Sequence, residues 1–260
     1  MKLKLFIFQA FCLVVFYMVA QNRSNELNIG IGKTTFKHAN AMPSGAKGVY
    51  YNLDFLHQNQ LKSNSKVLFG YFAETTFSNF NQLKDFKNKQ YNNSLDLGVF
   101  WLRSLPLKNN QINFHAGGGM LLEAAIYYYY HSQFGSVPMY QYARWFLSPF
   151  VYLSGDYSLN KFNFRFQASM PILYMGLQSR NGIHFIESVK LALTPNTFCF
   201  FTERFYPKAD ISVSYPLFSN NKTESRVQLT YTHEQLVYSG FPYERKRSNG
   251  LKLGMVWVVK

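Results

Sequence analysis

The stretch Leu147–Tyr174, LSPFVYLSGDYSLNKFNFRFQASMPILY, decides how this chain folds. In its second half Phe162, Phe164, Phe166, Ala168, Met170 and Ile172 share one parity, and Asn163, Arg165, Gln167 and Ser169 share the other. Side chains of a strand alternate between faces, so this period of two describes a β-strand with one apolar and one polar side. The first half repeats it: Val151, Leu153 and Tyr157 oppose Tyr152, Ser154 and Asp156. Ser158–Asn160 lie between the arms, which marks a hairpin with a very tight turn. Each arm exceeds the usual strand of a soluble protein and reaches the roughly 9–11 residues that a tilted strand needs to cross a bilayer.

The rest of the chain repeats this unit. We read ten strands, beginning with Glu26–Phe36, Lys47–Leu56, Lys66–Phe77, Ser94–Arg103 and Gln111–Tyr127. The opening hairpin supplies the sixth and seventh, and Lys208–Leu217, Arg226–Tyr238 and Gly250–Val259 complete the set. The Gly117-Gly118-Gly119 run is a site for a kink or bulge. Gly176–Tyr206 stays open: an additional strand pair there would make twelve strands, and eight is the lower alternative. The connections after even strands, such as Gln58–Ser65 and Ser158–Asn160, are short. Those after odd strands are longer: Lys37–Ala46, Ser78–Asn93, Tyr128–Tyr142, Gly176–Tyr206 and Ser239–Asn249. Alternating short turns and long loops are a feature of transmembrane barrels. The fold class expected is therefore all-β: a transmembrane, up-and-down, antiparallel β-barrel of about ten strands.

Composition agrees. Aromatic residues make up 18% of the 260 positions, with 26 Phe and 19 Tyr. That content suits lipid-facing and interfacial rings. Rings crowd the ends beside the longer loops: Phe77, Phe80, Phe86, Tyr127–Tyr130, Tyr140, Tyr142, Trp145, Phe146, Phe198, Phe200, Phe201, Phe205, Tyr206, Tyr238, Phe241 and Tyr243. We expect them to form an aromatic girdle. Mean hydropathy is only −0.17, and beyond the N-terminus no apolar run suffices for a spanning helix. Residues 1–20 have the form of a secretory signal peptide: Lys2 and Lys4, an apolar stretch from Leu5 to Val19, and small Ala20. The barrel domain is then 21–260. After cleavage Cys199 is the single cysteine, so no internal disulfide is expected. A formal charge of +14 is compatible with nucleic acid, membrane surface or other polyanions. Export argues against nucleic acid.

Alternation alone does not say which face points inward. The polar face is rich in Gly, Ser, Asn and Thr, which suits a narrow lumen, and the apolar face carries almost no Lys or Glu, which suits lipid. The lumen would then hold Asp54, Lys66, Glu74, Asp96, Glu123, Asp156, Arg165, Asp210, Arg226, Glu234 and Lys252, with acids outnumbering bases. Such charges must be paired, so the interior is expected to be plugged rather than an open pore. Ten strands leave little aqueous space in any case. The basic excess falls in the outer loops, at Lys84, Lys87, Lys89, Arg180, Lys190, Arg245, Lys246 and Arg247. A basic rim of this kind suits lipopolysaccharide phosphates or other surface polyanions.

Chemistry has a weak signature. His131-Ser132 and Thr232-His233-Glu234 are the candidates for hydrolysis, with His233 on the lipid-facing parity. There is no HExxH, no CxxC and no Gly-rich phosphate loop, so neither metal nor cofactor is expected.

These patterns resemble the small outer-membrane β-barrel proteins of Gram-negative bacteria, and the Tyr-, Asn- and Lys-rich style is similar to barrels of the Bacteroidota. The resemblance covers the mature chain but carries no specific motif. It implies residence in the outer membrane, contact with outer-membrane lipid, and insertion by the outer-membrane assembly machinery. The terminal Phe common in such barrels is replaced by the ending Gly254-Met255-Val256-Trp257-Val258-Val259-Lys260. The expected role is structural, adhesive or ligand-binding at the cell surface. The alternatives are an accessory of a secretion or assembly machine, as PorT-like barrels are, and an outer-membrane lipid or peptide hydrolase.

Overall fold

The computed structural model describes residues 23–38, 42–60, 67–82, 89–105, 112–130, 138–178, 197–239 and 243–259. All of its regular structure is strand. The segments are β1 (Arg23–His38), β2 (Met42–Gln60), β3 (Val67–Gln82), β4 (Lys89–Leu105), β5 (Ile112–Tyr130), β6 (Pro138–Leu159), β7 (Phe162–Pro171), β8 (Leu173–Gln178), β9 (Thr197–Phe200), β10 (Arg204–Phe205), β11 (Lys208–Ser219), β12 (Thr223–Tyr238) and β13 (Glu244–Val259). Each pairs antiparallel with its neighbour along the order β5-β4-β3-β2-β1-β13-β12-β11-β7-β6, and β5 pairs β6 to close the ring. The chain ends meet in that ring, from Arg23 opposite Val259 to His38 opposite Glu244.

β8 extends β7 along β6, β9 pairs β8, and β10 pairs β12 above β11. β7–β8 therefore act as one wall strand and β9–β11 as another, and the thirteen segments make ten strands. The segment left open in the sequence lengthens existing strands where it is described, and adds no hairpin there.

Prolines explain two of the interruptions, those between β7 and β8 and between β10 and β11. A proline has no N–H to give to a ladder. Pro171 ends β7, and Ile172 N reaches back to Pro149 O at 2.9 Å. The break also shifts parity, since Arg165 and Gln167 face inward before it and Tyr174 and Gly176 after it. Tyr174, which the parity of Phe162–Ile172 would turn outward, is consequently buried inside. Pro207 parts β10 from β11, and the β11–β12 register slips between Pro216 and Phe218. The triple glycine makes no bulge: β4, β5 and β6 pair without a shift through Gly117–Gly119, and the irregularity falls at Tyr129/Tyr130. The hairpin of the opening stretch closes in two residues, Asn160 and Lys161, with Asn160 at φ 54°.

Parity is realised through the wall. Along β1, Leu27, Ile29 and Ile31 are exposed while Glu26, Asn28 and Thr34 are buried. On β13, Leu251, Leu253, Met255 and Trp257 are exposed while Lys252 and Val256 are buried. This outward apolar belt is the lipid-facing surface of a transmembrane barrel. Glycines on the inner face let large groups cross the lumen: the Tyr50 ring lies over Gly32 and Gly250, where any Cβ would collide with it.

The strands are longer than the sequence indicates. β1 has 16 residues and β6 has 22. At a rise of about 3.3 Å and a tilt of about 40°, such strands stand roughly 40–55 Å tall, against an apolar band of about 25 Å. The excess lies at the end away from the Asn160–Lys161 turn. On β1 the apolar Leu27–Ile31 run gives way there to outward Lys33, Thr35 and Lys37. The expected long loops shrink accordingly. Only residues 39–41, 83–88, 131–137 and 240–242, together with Ser239 and Tyr243, lie between described strands where ten or more residues were expected, and 179–196 lie outside the described residues. The reason is physical: amphipathic alternation marks a strand where one face meets lipid, and above the belt both faces are polar or aromatic.

Candidate functional site: the charged lumen

Four carboxylates line up across four neighbouring strands. Asp54 on β2 is directly opposite Glu74 on β3, Glu74 opposite Asp96 on β4, and Asp96 opposite Glu123 on β5. All four belong to the inward parity. Like charges facing across strands repel, so this row stands only with cations supplied from the other wall. Lys252 of β13 pairs with Asp54 and lies 3.8 Å from Glu74. Lys208 of β11 pairs with Glu74. Arg204 of β10 donates through Nη2 to both oxygens of Glu123, at 2.7 and 2.8 Å. Arg144 of β6 also reaches Glu123 at 2.8 Å and pairs with Glu244 of β13. Asp96 Oδ1 is buried without a hydrogen-bond partner among the described residues.

Arg204 is among the most enclosed members, with 1% of its surface exposed. Its guanidinium lies 4.4 Å from the Tyr174 ring centre, 4.6 Å from Phe146 and 5.4 Å from Tyr206. A desolvated cation over ring faces is favourable, and charge-assisted bonds from Nη2 reach both oxygens of one carboxylate. Beside it Glu234 accepts from Lys246 Nζ at 2.8 Å and from the Tyr206 hydroxyl at 2.9 Å. Nearer the turn, Arg165 donates to Asp156 at 2.7 Å and pairs with Glu26, which also accepts from Gln228 Nε2 at 3.3 Å.

Aromatic clusters occupy the remaining interior. Phe100, Leu102, Leu121, Phe150 and Tyr152 pack together on β4–β6, with Phe100 and Tyr152 stacked at 4.8 Å. Phe36, Phe80 and Tyr127 form a second group, and Phe146, Tyr174, Cys199, Tyr206, Leu236 and Tyr238 a third. Phe80, Tyr127, Phe146, Tyr206 and Tyr238 were expected in an outward girdle. Parity turns them inward, and only rings such as Phe77, Phe198, Phe200, Phe201 and Phe205 face out. Between the ion pairs lies a polar cavity walled in part by Glu26, Asp54, Glu74, Lys208, Asp210 and Lys252, with about 80 Å³ open to the centres of water-sized molecules. That is room for a few waters.

Of the expected lumen set, Asp54, Glu74, Asp96, Glu123, Asp156, Arg165, Asp210, Glu234 and Lys252 take part in this interior, and Arg226 pairs with Glu224 nearer the turn. Lys66 lies outside the described residues. Glu26 and Lys208 were missed although parity places them inward. Arg144, Arg204 and Glu244 were missed because their segments carried no strand signal. Of the basic loop set, Arg245, Lys246 and Arg247 lie in β13 rather than in a loop, and Lys246 points into the lumen because its parity matches Lys252. Lys89 begins β4. Lys84, Lys87, Arg180 and Lys190 lie outside the described residues.

Of the hydrolytic candidates, Thr232, His233 and Glu234 are not brought together. His233 faces outward, with Nδ1 2.7 Å from Asn249 Oδ1, while Thr232 and Glu234 are buried inside. Adjacent strand residues lie on opposite sides of the wall, so His233 and Glu234 cannot act as a pair. His131 and Ser132 lie outside the described residues. Among the described residues no group of His, Cys, Asp and Glu is arranged to hold a metal ion.

The fold is similar to the outer membrane protease OmpT from Escherichia coli, at 10% sequence identity and a TM-score of 0.51, over 94% of this chain and 99% of that one. The transport unit of the autotransporter AIDA-I from Escherichia coli (8% identity, TM-score 0.44, 95% and 94% of the two chains) and the beta domain of the Bordetella autotransporter BrkA (9%, 0.44, 91% and 99%) are further likenesses. At these identities the likeness is one of fold, that of a Gram-negative outer-membrane β-barrel. No family model matches the chain, and no curated protein matches it in sequence.

Proposed function

We propose that this protein is an integral outer-membrane β-barrel that acts at the cell surface through its wall and its outward end, in a structural, adhesive or ligand-binding role, with its lumen held shut. It is exported on the segment 1–20, and the Asn160–Lys161 turn faces the periplasm. The observation that carries this reading is the filled interior. Cations of β6, β10, β11 and β13 bridge to the carboxylate row of β2–β5, and aromatic clusters pack around them. A channel for solutes needs a continuous water path, whereas opening this one would strand buried charges at several kcal/mol each. No catalytic role is assigned, because His233 and Glu234 stand on opposite sides of the wall.

Conductance in planar bilayers tests it. The refolded barrel is expected to insert without steady ion current. Long-lived, ohmic open states in most insertions would overturn the closed-lumen reading and favour a diffusion channel.

A further inference from the structure

Above the apolar belt, the outer faces of β13, β1 and β2 carry Arg245, Arg247, Lys33, Lys37 and Lys47, all exposed. Register makes them one patch. Lys37 is directly opposite Arg245, and Thr35 stands between Arg247 on one side and Lys47 on the other. Like charges opposed across strands are unfavourable unless an anion joins them. No ion pair engages any of the five among the described residues. The neighbouring carboxylate, Glu244, points inward and is taken by Arg144 and Tyr127.

The patch is also concave. The β1–β2 register slips between Phe36 and His38, and Gly45 opposite adopts φ +81°. At the irregularity lies a shallow, open depression lined by Thr35, Phe36, Lys37, Gly45, Ala46, Lys47 and Arg245. Its height matters. Exposed Ile31, Tyr51 and Leu251 form the upper edge of the lipid-facing surface just below it. One outward step along a tilted strand raises a side chain by about 5 Å, so Lys33, Thr35 and Lys37 climb through the headgroup layer rather than stand in free solvent.

We propose that this depression binds the phosphate groups of a lipid headgroup, as carried by the lipopolysaccharide of an outer leaflet, with the acyl chains lying along Ile31, Tyr51 and Leu251. The inference rests on the outer-membrane reading above. Cations at the headgroup level attract anionic lipid individually, and Lys37, Lys47 and Arg245 present three of them together around one depression.

The test uses the full-length mature barrel, folded in detergent, titrated with bis-phosphorylated lipid A, its dephosphorylated form and inorganic phosphate. Insertion into phosphatidylcholine vesicles is measured in parallel by flotation. Wild type should prefer lipid A to the dephosphorylated form at least tenfold, and the variant K37Q/K47Q/R245Q should lose that preference while still floating with vesicles. The turn-end control K222Q should retain it. Equal binding of both lipid forms, or a preference unchanged in the triple variant, would overturn the proposal alone. Inorganic phosphate competing as strongly as lipid A would overturn the lipid assignment in favour of a free-anion site. A wild type that fails to float would overturn the membrane reading and this inference with it.

Discussion

Replacing Arg204 by methionine should destabilise the barrel strongly, because it breaks a tie between opposite walls of the lumen. The guanidinium is 1% exposed, grips both oxygens of Glu123 and sits among three rings. Removing one partner of a buried pair costs about 3–5 kcal/mol when the other charge is left alone. Glu123 keeps Arg144 at 2.8 Å, so we place the ionic part at about 2–3 kcal/mol. A desolvated cation–π contact adds about 2 kcal/mol, part of which methionine recovers by packing against the same rings. The expected loss is about 3–4 kcal/mol. Glu123→Gln should cost at least as much, since Arg204 then has no carboxylate among the described residues while Arg144 retains Glu244. The double variant R204M/E123Q removes both charges and should cost clearly less than the sum of its parts, with a coupling of about 1–3 kcal/mol. Reversible urea unfolding in detergent micelles, followed by tryptophan fluorescence with heat-dependent gel mobility as the check on folding, measures all three. A loss under about 1 kcal/mol for R204M, or strict additivity in the double variant, would refute the idea that Arg204 ties the acidic wall to the opposite side.

Two further outcomes follow from the wall. Leu253→Arg places a charge on a side chain 63% exposed in the middle of the apolar belt, and should cost about 2–4 kcal/mol when unfolding is measured in a lipid bilayer; a cost near zero would put that face in water. Gly250→Val forces a side chain into the Tyr50 phenol, an overpacking worth about 1–3 kcal/mol, and Tyr50→Ala should relieve the ring's share of it, since Ile31 O also stands 2.9 Å from the added Cβ. Failure of the second substitution to restore urea resistance would mean that Gly250 is needed for the backbone and not for the ring.

The opening hairpin shows how far local pattern reaches. Phe162, Phe164 and Phe166 face out, and Arg165 finds Asp156 directly across the ladder, because both arms lie in the belt where lipid and lumen impose opposite preferences. Six residues beyond Arg165, parity failed at Pro171, where a missing N–H broke the ladder and turned Tyr174 inward. Pro171 marks a break in the sequence, but the direction in which the chain resumes is not written there. The loop lengths failed for a related cause: above the belt neither face meets lipid, so the alternation that marks a strand fades although backbone pairing continues.

Sequence by itself determined the class of fold, the inward and outward faces within the belt, and the presence of more charge than a lumen can leave unpaired, because each follows from a period of two against two different solvents. Only the tertiary structure decided which charges meet. Parity says that Glu123 points inward; it does not say that Arg204, 81 positions along the chain, closes on it from the opposite wall. That pairing depends on strand order, register and the curvature that brings two walls of a narrow barrel within reach of one guanidinium. The same holds outside, where Lys37, Lys47 and Arg245 are scattered cations in the sequence and line one depression on the wall.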